Sequence, residues 1–191
     1  SKLHRLQSIH YRNRGHIALH YDEGRLARVI DTVGRIILFE PAQDGHIAKI
    51  SVAAPHGPSI VYARYAYDNA GNLVAAADAD GNLTQYAYDD ERRLTRLEYP
   101  SGIVFHFVYD NAGRCIETWG AIPNGYDPAL ADDLPTFLAD NTTRAKGIYH
   151  CKLEFDAAGT YTEVVDSVRL QRYFAGPGER VAKAVDASHR L

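Results

Sequence analysis

The residues best equipped for chemistry are acids, histidines and tyrosines, and each set invites a specific reading. Asp78-Ala79-Asp80-Gly81 has the opening of a calcium loop. Calcium takes about six to eight oxygens, and an EF-type loop needs a Glu at its twelfth position. Counted from Asp78 that position is Asp89, so the ligand set is incomplete. Nine histidines raise zinc, with His4, His10, His16 and His20 close in sequence. None has the Cys/His ligand pattern of a structural site, and His150 and Cys151, adjacent on an expected strand, would face opposite ways. Asp89, Asp90, Glu91 and Glu98 supply carboxylates for a glycosidase pair, but they fall on an expected turn and an outer strand face, where charge is solvated. There is no Gly-x-Ser-x-Gly elbow, and Gly176-Pro177-Gly178 lacks the Gly-Lys-Ser/Thr ending of a phosphate loop. No catalytic residue, cofactor-binding residue or metal ligand is assigned, and the chain reads as scaffold rather than enzyme.

The elements that carry these residues come from a repeat. Tyr67-Asp68-Asn69-Ala70-Gly71-Asn72-Leu73, Tyr88-Asp89-Asp90-Glu91-Arg92-Arg93-Leu94 and Tyr109-Asp110-Asn111-Ala112-Gly113-Arg114-Cys115 align, each 21 residues from the next. Second turns lie at half the period, at Asp78-Ala79-Asp80-Gly81 and Tyr99-Pro100-Ser101-Gly102. Weaker copies occur at Tyr21-Asp22-Glu23-Gly24, which is one residue shorter, at Asp31-Thr32-Val33-Gly34 and at Phe155-Asp156-Ala157-Ala158-Gly159. Asp at the first position of a four-residue turn accepts from backbone N–H groups two residues on. Gly at the fourth supplies the positive φ that closes a type I turn with a bulge. Tyr67, Asp68, Gly71, Asp78, Gly81, Tyr88, Asp89, Tyr109, Asp110 and Gly113 are therefore expected to shape hairpin tips.

Between tips the pattern alternates as strands require. Thr84, Tyr86 and Tyr88 share one face, and Ile103, Phe105, Phe107 and Tyr109 form an apolar one. Short strands with turns about every ten residues argue an all-β meander of tandem antiparallel hairpins. One hairpin is marginal in water, so stability must come from stacked neighbours. From Gly120 to about Gly147 the pattern fails. Asp127 with Pro128 predicts a short helix, and a further turn is expected around Thr136-Phe137-Leu138-Ala139. The predicted organisation is repeats over 1–119, a loop and short-helix insertion over 120–147, and degenerate repeats over 148–191.

Composition excludes several classes. The formal net charge is −3 and no basic block is long enough for a nucleic-acid footprint. Arg92, Arg93 and Arg96 sit among acids that neutralise them. No apolar run reaches the length of a membrane span and no signal peptide is found. Cys115 and Cys151 read as packed thiols. The chain holds no Met and starts and stops in mid-pattern, as expected of a piece of a longer protein.

The phrase Tyr67-Asp68-Asn69-Ala70-Gly71-Asn72-Leu73, recurring at 21 residues with Asp78-x-x-Gly81-x-Leu83-Thr84 between, resembles the YD repeats of bacterial Rhs proteins. Similar repeats occur in the C components of insecticidal toxin complexes and in teneurins. The resemblance is clear over about 62–119 and implies a curved, spiralling β-sheet strip that is part of a hollow shell. It implies a polymorphic-toxin shell enclosing a C-terminal toxin domain, secreted or exported from a bacterial cell, with the rest of the shell and secretion-system components as partners. The family's self-cleavage element is built on Asp-Pro with following glycines. The only Asp-Pro here, Asp127-Pro128, has none nearby, so no protease residue is carried over. The alternative reading is a cell-surface adhesion or carbohydrate-binding module, in which tyrosines would stack on sugars; cross-strand packing is the commoner use of such residues.

Overall fold

A computed structural model describes residues 4–12, 15–121, 135–178 and 180–186. Among these residues fifteen strands occur and no helix. They are β1 (Ser8–His10), β2 (His16–Asp22), β3 (Arg25–Ile30), β4 (Ile36–Pro41), β5 (Ile47–Val52), β6 (Ile60–Tyr67), β7 (Leu73–Ala77), β8 (Leu83–Tyr88), β9 (Leu94–Glu98), β10 (Val104–Tyr109), β11 (Cys115–Ala121), β12 (Ile148–Phe155), β13 (Tyr161–Val165), β14 (Leu170–Gly176) and β15 (Arg180–Asp186). All lie in one open sheet in chain order. Neighbours in the sheet are neighbours in sequence, most of them joined by short polar turns as antiparallel hairpins permit, while β11 and β12 pair across the longer connection from Ala121 to Ile148. The chain divides into two compact units, Ser1–Gln85 and Tyr86–Leu191.

In the first unit, register sorts the side chains by type. Leu19, Val29, Ile37, Val52 and Ile60 stand opposite one another across five strands as one apolar row. One residue along, His20, Arg28, Leu38, Ser51 and Val61 form the row of the other face. Cross-strand apolar pairs of this kind contribute roughly 0.2–1 kcal/mol each, so the row stabilises by addition along the sheet. Ala63 on β6 is buried, whereas Ile60 is 66% exposed.

The second unit has the same sorting. Leu97, Phe105, Gly120 and Ile148 align on one face. Arg96, His106 and Trp119 align on the other, as do Glu117, Lys152, Val165 and Leu170. Arg93 pairs with Asp89 and Glu91 at 2.7 and 2.8 Å, and Arg96 with Glu98 at 2.7 Å, so the basic run is locally neutralised.

β11 runs to Ala121, and the chain re-enters the sheet at Ile148. The helix expected at Asp127 and Pro128 lies outside the described residues. At Thr136–Ala139 there is no helical turn. Phe137 instead forms a single bridge to Arg144, and Leu138 N–H donates to Thr143 O at 2.8 Å. The reason is local competition for the backbone: Asp140 Oδ1 accepts from Thr142 N and Thr143 N at 3.0 and 2.9 Å, and Asn141 turns at φ 56°. This excursion supplies Leu138, which is 1% exposed, and docks through Ala139 N–H to Asp166 O at 2.9 Å.

Candidate functional site

Two features stand out from plain sheet: the hairpin tips and a polar cluster between β11 and β12. The tips share one hydrogen-bond scheme. Asp68 N–H donates to Asn72 O, and Gly71 N–H donates to Asp68 O, both at 3.0 Å. Asp68 Oδ1 accepts from Ala70 N and Asn72 N at 2.9 and 2.8 Å, while Gly71 sits at φ 80°. Asp31, Asp78, Asp89 and Asp110 repeat this with the backbone N–H groups two and four residues on. Gly81 and Gly113 take φ 86° and 78°; in the Asp89 tip Arg92 occupies the same place at φ 63°. At Asp22 the missing residue changes the turn. Glu23 and Gly24 both have positive φ, 45° and 86°, between the paired Asp22 and Arg25, which is the two-residue type I′ connection.

A fifth position completes the scheme and was not read from the sequence. The residue after the turn glycine reaches back to the second carboxylate oxygen: Asn72 Nδ2 to Asp68 at 2.9 Å, Asn82 Nδ2 to Asp78 at 2.8 Å, Arg93 Nε to Asp89 at 2.7 Å and Arg114 Nε to Asp110 at 2.8 Å. Asp78 thus spends both oxygens on its own turn, which is the structural account of the apparent calcium loop. Among the described residues no group of three or more His, Cys, Asp or Glu is arranged to hold a metal ion. The side-chain bond from Asn82 holds the Asp78 carboxyl below its ordinary value, and the Arg114 backbone and guanidinium do the same for Asp110.

The fifth position also couples one tip to the next along the same edge. In the first unit the His46 ring stacks on Tyr67 with centroids 4.6 Å apart, and a Cβ on Gly45 would lie 2.8 Å from the Arg25 guanidinium. In the second, the Arg93 guanidinium lies 5.1 Å from the Tyr109 ring centre and that of Arg114 lies 4.3 Å from Phe155. Guanidinium over an aromatic face is worth roughly 0.5–1 kcal/mol when exposed. The tyrosine hydroxyls are used as well: Tyr67 donates to Ile47 O at 3.0 Å and Tyr109 to Leu94 O at 2.9 Å. Burial pushes both phenols above their ordinary value. Tyr88 closes β8 directly before the Asp89 tip.

The polar cluster is built by a bulge. Between the pairs Thr118–Cys151 and Gly120–Ile148, one residue of β11 stands against two of β12, and the extra residue leaves Tyr149 at φ 51°. A bulge re-aims the side chains beyond it, and here it turns His150 to the face of Glu117 and Trp119. His150 is 1% exposed. Its Nε2 lies 2.9 Å from Glu117 Oε1, and its Nδ1 accepts from Lys146 N at 3.2 Å. Lys146 Nζ donates to Glu117 Oε2 at 2.6 Å and lies 4.4 Å from the Trp119 ring centre, which the His106 ring stacks on at 5.0 Å and the His150 ring meets edge-on at 6.4 Å. Burial opposes the Glu117 charge, but the bonds from Lys146 and His150 prevail and hold its carboxyl below the ordinary value. Among the described residues the partners of the imidazole are Glu117 Oε1 and Lys146 N, and neither is a serine or cysteine. Cys115 and Cys151 are free thiols.

Comparison with known proteins follows this geometry. The RHS Repeat family matches residues 67–104. No curated protein matches. Among solved structures, the crystal structure of TcdB2-TccC3-Cdc42 has a TM-score of 0.57 at 13% identity, over 90% of this chain and 10% of that one. TcdB2-TccC3 without its hypervariable C-terminal region gives 0.52 at 16% identity, again over 90% and 10%. The Photorhabdus luminescens Tc holotoxin pore gives 0.50 at 16% identity, over 90% of this chain and 9% of that one. The chain spans about a tenth of the length of these structures. The RHS-repeat match over 67–104 lies within a hairpin meander that continues on either side of it, and the fold over 90% of the chain is that of the TcdB2-TccC3 sheet.

Proposed function

We propose that this segment is a length of wall in a β-sheet container, and that it acts by enclosing a C-terminal toxin or effector domain of its own polypeptide rather than by catalysis. The observation that carries the reading is the agreement of fold over 90% of the chain with TcdB2-TccC3, a protein described as having a hypervariable C-terminal region. The tips support it. Their polar groups are spent on shaping turns and on clasping the following tip, which suits a wall made by repetition. The turn residues Tyr67, Asp68, Gly71, Asp78, Gly81, Tyr88, Asp89, Tyr109, Asp110 and Gly113 set the width of that wall. The rest of the shell and the enclosed domain are the proposed partners, and export from a bacterial cell is the proposed setting.

Limited proteolysis of the full-length parent, with fragments identified by mass, tests the reading. A C-terminal domain that survives while the sheet is folded and is digested once it is unfolded supports enclosure. A C-terminal domain cut as readily as an exposed tail refutes it.

A further inference from the structure

We propose that the Glu117 carboxylate latches residues 137–147 as a strap against β11 and β12, and that acid releases this strap while the sheet stays folded. Two contacts from the strap converge on the one carboxylate and its β12 partner: Lys146 Nζ bonds Oε2, and Lys146 N–H bonds the far side of the His150 imidazole, which itself holds Oε1. The second contact fixes the proton. A backbone N–H can only donate, so His150 Nδ1 accepts and the ring hydrogen sits on Nε2, facing Glu117. The latched set is one ammonium, one carboxylate and one neutral imidazole, with no net charge.

Acid breaks that balance. A proton on Glu117 removes the counter-charge of Lys146 and leaves the buried imidazole N–H without its anionic acceptor. The surrounding charges do not compensate. Lys152 stands directly opposite Glu117, and His106 stacks on the Trp119 ring that Lys146 also meets. On β13 Val165 is the partner of Lys152; in the row beyond stand Glu154 and Glu163, the latter held by Arg172 at 2.6 Å. Once released, the carboxyl binds its proton at the ordinary value of about 4.3, above the value that the bonds from Lys146 and His150 give it in the latch. The latch is therefore complete above about 4.3, and release is driven as pH falls below it.

The sheet has little stake in this event. The strap enters it through Gly147, whose missing side chain lets it lie against Gly120 O. It is also tied by buried Leu138 and by the Ala139 bond to Asp166. Trp119, the only tryptophan in the chain, touches both Lys146 and His106 and reports on the latch.

Trp119 emission and far-UV circular dichroism of the 191-residue chain, titrated from pH 8 to pH 3, test the proposal. The expected result is a reversible emission change centred below about pH 4.3, with the β signal retained. Glu117→Gln should show the acid-form emission already at pH 8. His150→Gln, which keeps one acceptor and one donor, should leave the acid transition in place. Glu163→Gln should leave the transition in place. Flat emission, a change that coincides with loss of the β signal, or a titration unmoved by Glu117→Gln and so reporting His106 alone, would each overturn the latch.

Discussion

Gly81 isolates the backbone requirement of the tips. It sits at φ 86°, and a Cβ built there meets nothing within 4 Å. Any loss on substitution therefore comes from conformation and not from a clash. The left-handed region costs an L-residue about 1–2 kcal/mol, while replacing Gly recovers about 0.4–1 kcal/mol by restricting the unfolded chain. Gly81→Ala should thus lose about 0.5–1 kcal/mol. Gly81→Val, β-branched, should lose about 2 kcal/mol, and Gly81→Asn, which tolerates this region, less than Ala. Urea unfolding followed by circular dichroism reads the series as shifts of midpoint at constant slope. The order Gly, Asn, Ala, Val is the result required. Equal stability of Val and Gly would refute the view that positive φ makes glycine necessary at the tip.

Three further outcomes follow from the same geometry. Arg114→Ala removes the bond to Asp110 and the contact with Phe155; with half of its side chain exposed, a loss of about 1 kcal/mol is expected, and Arg114→Lys should recover little of it because only the planar fork does both. Gly147→Ala places a methyl group into Gly120 O and should cost more than about 2 kcal/mol, or displace the strap, seen as faster amide exchange across 137–147. Asp140 titrates at about 2 in the fold, held down against burial by bonds from Thr143 and Thr142. Its stabilisation is present above the ordinary carboxylate value and is lost as pH falls toward about 2; after discounting for its exposure it is worth about 1 kcal/mol. The stability difference between the native chain and Asp140→Asn should shrink accordingly between pH 6 and pH 2.5.

The tips were legible because their chemistry is local. Asp68 and Gly71 are three residues apart, and the N–H groups that need an acceptor lie within the same five residues. The fifth position escaped because Asn72, Arg93 and Arg114 share no residue class, only a nitrogen that can reach the aspartate. Its second role escaped for a different reason: Arg93 meets Tyr109 and Arg114 meets Phe155 only after neighbouring hairpins are in register, and the second pair is separated by the whole interruption. Repetition predicts that such contacts exist, but not across a stretch where the repeat pattern stops.

His150 shows where alternation itself fails. Reading back from Glu117 and Lys152, which are opposite, regular pairing puts His150 opposite Trp119 and so on its face. Reading forward from Gly120 and Ile148, which are also opposite, the same rule puts His150 opposite Thr118 and on the other face. Both cannot hold, and the extra residue that reconciles them is Tyr149 at φ 51°. A one-residue slip reverses every side chain beyond it, so no periodicity argument could decide whether His150 was exposed or buried. An aromatic residue held in the left-handed region is strained by roughly 1–3 kcal/mol, and that strain is retained where it brings an imidazole, a carboxylate and an ammonium together. The bulge therefore serves the latch: if Tyr149→Gly relieves the strain without disturbing the pairing, it should stabilise the folded chain and leave the Glu117–His150 contact intact.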